Sequence, residues 1–134
     1  MINNEIIKIA SNTSNVGLTN EYTFKSSKKN SLCGDLIKVE LILKRTKIIS
    51  MKYETESCIY CEASASLLAK KIKNLDKKVI EKKISELKKI DPKETNLTFP
   101  KNFSEFKFLM NKDNFSRLKC VFLPLDAVLK ALNK

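Results

Sequence analysis

Four cysteines and one aspartate are the residues of this chain best suited to chemistry. Cys33 and Asp35 flank a glycine in Cys33-Gly34-Asp35. Cys58 and Cys61 lie in Ser57-Cys58-Ile59-Tyr60-Cys61-Glu62, and Cys120 closes Arg117-Leu118-Lys119-Cys120. Three thiolates and a carboxylate, from Cys33, Asp35, Cys58 and Cys120, can complete a four-coordinate site. Thiolates suit zinc, iron and iron–sulfur clusters. An aspartate oxygen is harder than sulfur and holds thiophilic iron less firmly than a fourth thiolate would. Such a mixed set suits a site that forms and later gives up its contents. A structural zinc site usually draws on four Cys or His ligands, so the aspartate and the lack of histidine favour an exchangeable site over a purely structural one. Without histidine, Ser–His and Cys–His nucleophilic catalysis is excluded. With only Gly17 and Gly34 there is no phosphate-cradling glycine loop.

These residues are far apart in the chain, so the elements between them must bring them together. Leu36 to Leu43 alternates as a strand, with Ile37, Val39, Leu41 and Leu43 on one face. Lys44 to Lys47 makes a turn, and Ile48 to Glu54 returns with Ile49, Met51 and Tyr53 inward. Antiparallel pairing of this hairpin carries Cys33-Gly34-Asp35 and Cys58 to one edge of the sheet. Gly34 permits a sharp turn between Cys33 and Asp35. The pattern becomes helical from Ala63, with Ala65, Leu68 and Ile72 on one stripe, so Cys58 precedes a helix start. Cys120 precedes a last helix expected to begin near Leu123 or Pro124, because proline is tolerated in the first turn. Both positions place a thiol near exposed helix N–H groups, which favour the thiolate.

Elsewhere, residues 2–11 suggest a short helix with Ile6, Ile7 and Ile9 or Ala10 inward, and 12–17 a turn. Residues 21–26 suggest an edge strand, 26–31 a loop, 76–90 a helix with Ile80, Ile84 and Leu87 inward, and 103–110 a short helix. The expectation is one α+β domain over residues 1–134: a small antiparallel β-sheet with helices packed on one face.

The formal charge is +11, but Arg45 and Arg117 are the only arginines and the lysines are scattered. That composition argues against specific nucleic-acid recognition, which relies on arginine forks. An acidic protein partner fits the charge at least as well. No apolar run is long enough for a transmembrane helix, and the first residues do not resemble a signal peptide. A cytoplasmic location without a disulfide framework is therefore expected.

In order, Leu32-Cys33-Gly34-Asp35, Ser57-Cys58 with Ala63-Ser64-Ala65-Ser66 five residues on, and Arg117-Leu118-Lys119-Cys120 before a closing helix resemble the IscU/SufU/NifU N-terminal family of iron–sulfur cluster assembly scaffolds. The long stretch 59–119, Lys119 where the IscU branch has histidine, and the absence of a Leu-Pro-Pro-Val-Lys segment resemble the SufU-like branch most. The resemblance implies that Cys33, Asp35, Cys58 and Cys120 bind an iron–sulfur cluster, 2Fe–2S or 4Fe–4S, or zinc. It implies a cysteine desulfurase as sulfur donor, with Cys33, Cys58 or Cys120 accepting persulfide, and apo iron–sulfur proteins as recipients. It also implies a non-enzymatic scaffold, with a zinc-dependent sulfurtransferase as the alternative. Arg117 matches an arginine near the third cysteine that lines the site or faces a partner. Cys61 departs from the family pattern, as do Ser57, where glycine is usual, and Thr13, where proline is usual. Cys61 is either a small packed residue or a spare acceptor. A Cys58–Cys61 redox pair of thioredoxin type lacks its βαβ setting.

Overall fold

The computed structural model describes residues 3–30, 34–94 and 96–133. Three strands, β1 (Phe24–Lys29), β2 (Leu36–Lys44) and β3 (Lys47–Glu56), form an antiparallel sheet in the order β1-β2-β3. Around it lie helices α1 (Asn4–Ala10), α2 (Ile59–Lys71), α3 (Lys77–Lys88) and α4 (Leu118–Leu132), with short 3₁₀ turns at Ser104–Phe108 and Lys112–Arg117. This is the α+β arrangement that the hydrophobic patterning predicts.

The inner face of the sheet carries Ile37, Val39, Leu41, Met51 and Tyr53, all buried. Helix α4 packs on β1 and β2, α2 packs on β3, and the two helices pack on each other. Lys25, Ser27 and Lys38 face outward and are exposed. Glu40, also outward in the alternation, is buried all the same. Residues 18–20 fold over it, and its carboxylate accepts the N–H groups of Thr19 at 2.8 Å and Asn20 at 3.0 Å. Buried serines tie the layers: Ser64 donates to the carbonyl of Val121 and Ser26 to that of Ala127, each at 2.6 Å.

Several sequence expectations need correction. The edge strand covers Phe24–Lys29, displacing the loop expected over 26–31, because pairing to β2 supplies the ladder that lysine-rich propensity does not. In β3, Ile48 is buried and Ile49 is 40% exposed. The register steps from Ile42↔Ser50 to Leu43↔Ile48, leaving Ile49 as the extra residue of a bulge that reverses the alternation. Ile7 is likewise exposed, since α1 buries only Ile6 fully. Helix α2 starts at Ile59, before Ala63. The element expected over 103–110 is a 3₁₀ turn, and the second turn at Lys112–Arg117 was not foreseen. The final helix starts at Leu118, so Pro124 lies inside it and Cys120 lies in its first turn. Proline at 124 has no N–H to offer the carbonyl of Cys120 four residues back. Packing of Val121, Leu125, Val128 and Leu132, all fully buried, holds the helix together across that gap.

Candidate metal centre

The hairpin does what the spacing requires. Leu36 pairs with Glu56, so Asp35 just before β2 and Cys58 just after β3 emerge from the same sheet end. Gly34 takes φ +76°, a left-handed value that suits glycine. A side chain there would meet no neighbouring atom, so backbone strain alone accounts for the preference. The turn is closed by Asn30 N–H donating to the carbonyl of Asp35 and Gly34 N–H donating to that of Asn30, each at 2.8 Å. Cys33, the fourth predicted ligand, lies outside the described residues.

Cys58 is the N-cap residue of α2, with φ −72° and ψ 167°. The carboxylate of Asp35 accepts its N–H at 3.3 Å and lies 3.5 Å from its Sγ. Cys120 approaches from α4. One donor atom from each of Asp35, Cys58 and Cys120 lies within 4.8 Å of the others. Asp35 and Cys120 are buried, and Cys58 is partly exposed. Two thiols and a carboxylate are thus gathered at the first turns of two helices, with the most open donor being the N-cap thiol. That donor set fits zinc, iron or an iron–sulfur cluster.

Helix position does not by itself decide the charge. Burial, followed by the neighbouring Cys58 and Asp35, pushes the Cys120 thiol up, opposite to the thiolate preference expected from the helix end. Cys61 is fully buried in the core, and burial pushes its thiol up to about 12, with Ser57 opposing and Asp35 and Cys58 adding to the rise. Arg117 is exposed at the start of α4, its guanidinium 5.8 Å from the centre of the Tyr60 ring. Tyr60 donates to Asn114 at 3.3 Å, and Asn114 is itself fully buried. This link from α2 to the turn before α4 was missed by sequence reasoning, since nothing in Asn114's neighbours marks it as a core residue. A cavity of about 460 Å³ lined by Leu36, Lys38, Glu54, Glu56 and Glu62 opens from the same hairpin but includes none of the three donors.

A sequence profile for the NifU-like N-terminal domain matches residues 1–101. The chain belongs to the NifU-like N-terminal domain family. Cys120 and α4 lie beyond that match, but whole-fold similarity reaches them. The N-terminal NifU-like protein of Brucella abortus superposes with a TM-score of 0.86 at 20% identity, covering 98% of this chain and 91% of that one. A proposed iron–sulfur cluster assembly scaffold for the SUF system of the thermophile Fervidobacterium islandicum AW-1 gives 0.79 at 22% identity, covering 98% and 96%. A hypothetical protein gives 0.80 at 19%, covering 96% and 97%. At such identities the likeness is one of fold. Among curated proteins none matches the chain. No helix among the described residues is long and apolar enough to cross a membrane.

Proposed function

We propose that this chain is a scaffold on which an iron–sulfur cluster is built from iron and from sulfur accepted as persulfide, then passed to apo-proteins. The observation that carries the proposal is the gathering of Asp35, Cys58 and Cys120 at the open hairpin end, with donor atoms within 4.8 Å of one another. Cys33, two residues before Asp35 in the chain, completes the proposed set of four. The cluster is cargo, so the chain's task is to hold it and let it go. The first turns of α2 and α4 favour the negative charge that develops on Cys58 and Cys120 when they ligate. Asp35, the hard donor among thiolates, is the ligand that yields first. The partial exposure of Cys58 lets a partner reach it.

The sulfur donor is a cysteine desulfurase, and recipients are apo iron–sulfur proteins. The chain works in a reducing, cytoplasmic setting as a scaffold and not as an enzyme in its own right. The SufU-like branch is favoured by Lys119 and by the long stretch 59–119, which in this structure holds α2, α3 and both 3₁₀ turns.

Anaerobic reconstitution of the purified chain with ferrous iron, cysteine and a cysteine desulfurase tests the proposal. The expected product is coloured, contains iron and acid-labile sulfide in cluster ratio, and converts apo-ferredoxin to its holo form. Tight stoichiometric zinc, faster desulfurase turnover and no cluster would replace the scaffold with a zinc-dependent sulfurtransferase.

A further inference from the structure

The cavity at the donor end of the hairpin is built around an unfinished sheet edge. β3 is an outer strand, and at Tyr53 it is paired on the side away from β2. Tyr53 donates its N–H to the carbonyl of Asn15 at 3.2 Å, and its own carbonyl accepts the N–H of Gly17 at 2.9 Å. Along an antiparallel strand, residues alternate between pointing both backbone groups at the partner strand and pointing both away. The register runs unbroken from Val39↔Tyr53 to Ile37↔Thr55, so Thr55 also directs its N–H and C=O away from β2. The covering segment has left the edge by then. Gly17, at φ +110°, turns the chain over the outer face of the sheet, where Leu18 donates its N–H to Glu54 at 3.2 Å. Among the described residues, neither backbone group of Thr55 has a partner beyond the sheet edge. Thr55 lines the cavity of about 460 Å³.

An open N–H and C=O on a strand edge are complemented by another extended chain. The lining of the cavity says which kind. Glu54, Glu56 and Glu62 set three carboxylates against the one ammonium of Lys38, in a chain of net charge +11. Glu54 and Glu56 are exposed and two residues apart, so they stand on the same face of β3, ~7 Å from each other. Val16, 48% exposed, and Leu36 add an apolar wall.

We propose that this groove docks an extended, basic segment of a partner protein, which adds to the β3 edge at Thr55 and sets lysine or arginine side chains at alternate positions against Glu54 and Glu56. The net positive charge of the chain opposes such a segment elsewhere, so the carboxylates that attract it here also select where it binds. Cys58 lies three residues beyond Thr55, ~10 Å along an extended chain, so the docked segment runs beside the approach to the partly open thiol. Docking does not depend on the scaffold reading; that reading supplies a reason for leading a partner to Cys58.

The test uses the whole chain, ¹⁵N-labelled and free of metal, titrated with a peptide of about ten residues that alternates lysine with threonine. Amide shifts, hydrogen exchange and the dissociation constant are read at low salt. The expected result is saturable shifts centred on the Thr55 amide, with slower exchange there. Glu54→Gln combined with Glu56→Gln should weaken binding ~10-fold, since each exposed ion pair is worth a few-fold. Glutamine keeps the side-chain shape, and an amide spectrum unchanged away from β3 shows that the variant is folded. The same peptide with its central amides N-methylated should bind ~5-fold more weakly or worse, because it cannot donate to the edge. No shift at Thr55 overturns the inference. So does equal binding of the N-methylated peptide, or of one with glutamate in place of lysine, which would leave only general attraction. Protection of Thr55 that rises with protein concentration in the absence of peptide would put a second copy of the chain in the groove and overturn the basic partner. No metal enters these measurements, so their failure leaves the scaffold reading intact, and failure to assemble a cluster leaves the groove intact.

Discussion

Two aspartates stand at opposite ends of the β2–β3 hairpin, each at the start of a helix that follows, and they are held very differently. Asp76 caps α3 with its own side chain, accepting the N–H of Lys78 at 2.9 Å and the hydroxyl of Thr46 at 2.5 Å. Its backbone adds a bridge to Lys47 at the turn. Asp35 reaches α2 from the neighbouring strand. It is buried, and its contacts to Cys58 are longer, 3.3 Å to the N–H and 3.5 Å to Sγ, with Cys120 beside it. Both carboxylates exploit the same attraction of anions to helix N-termini. Asp76 has its oxygens committed to short hydrogen bonds that join sheet to helix. Asp35 lies beside two thiols of the proposed ligand set, so on that reading its oxygens are available to a cation bound there. The contrast separates a joint from a proposed donor, and substitutions at each end should separate in the same way.

The largest effect is expected at the donor end. Cys58→Ala should retain the fold by circular dichroism yet lose cluster assembly by more than ~10-fold, read as iron and sulfide bound after reconstitution. Full cluster loading without Cys58 would place the ligand set elsewhere. Next comes Asp35→Ala, for which the reconstituted cluster should last several-fold longer, followed as decay of its visible absorbance. A cluster lost faster than from the wild type would mean that Asp35 holds the cargo instead of easing its release.

The donor end was also the more legible end of the sequence. Alternation in Leu36–Leu43 and the return strand were enough to bring Asp35 and Cys58 together, because antiparallel pairing fixes which ends meet. The periodic Ile80, Ile84 and Leu87 marked α3 to within a residue or two, and all three are fully buried. What misled was local chemistry overruled by packing. Pro124 suggested a helix start, but the buried residues along α4 keep it continuous from Leu118. Ile49 looked inward by alternation, and one bulge turned it out. The polar links Ser64 to Val121 and Tyr60 to Asn114 could not be foreseen, since they join residues 57 and 54 positions apart with no pattern to pair them.

Those cross-links sharpen the comparison by showing what fixes the distance between the two halves of the site. Ser64 sits two turns into α2 and donates to the carbonyl of the residue after Cys120. Ser64→Ala should lower the unfolding free energy by about 1 kcal/mol in urea titration, the usual worth of one buried hydrogen bond. An unchanged midpoint would mean that apolar packing alone sets the spacing of α2 and α4.

The smallest effect belongs to Asp76, and its signature is in pH. The hydrogen bonds from Thr46 and Lys78, in that order of weight, hold its carboxyl below the ordinary value of 3.8. A carboxylate depressed on folding stabilises the fold fully above its unfolded pKa, and that contribution is lost as pH falls through the folded one. Asp76→Ala should therefore lower Tm by a few degrees at neutral pH, and the gap to the wild type should close as pH falls below 3.8. Cluster loading at neutral pH should be unaffected. Nine residues of β2 separate the hairpin's ends by about 30 Å, beyond the range at which substitutions usually couple. Loss of loading in Asp76→Ala would show that the joint and the donor are one mechanical unit, and the division drawn between the two aspartates would fail.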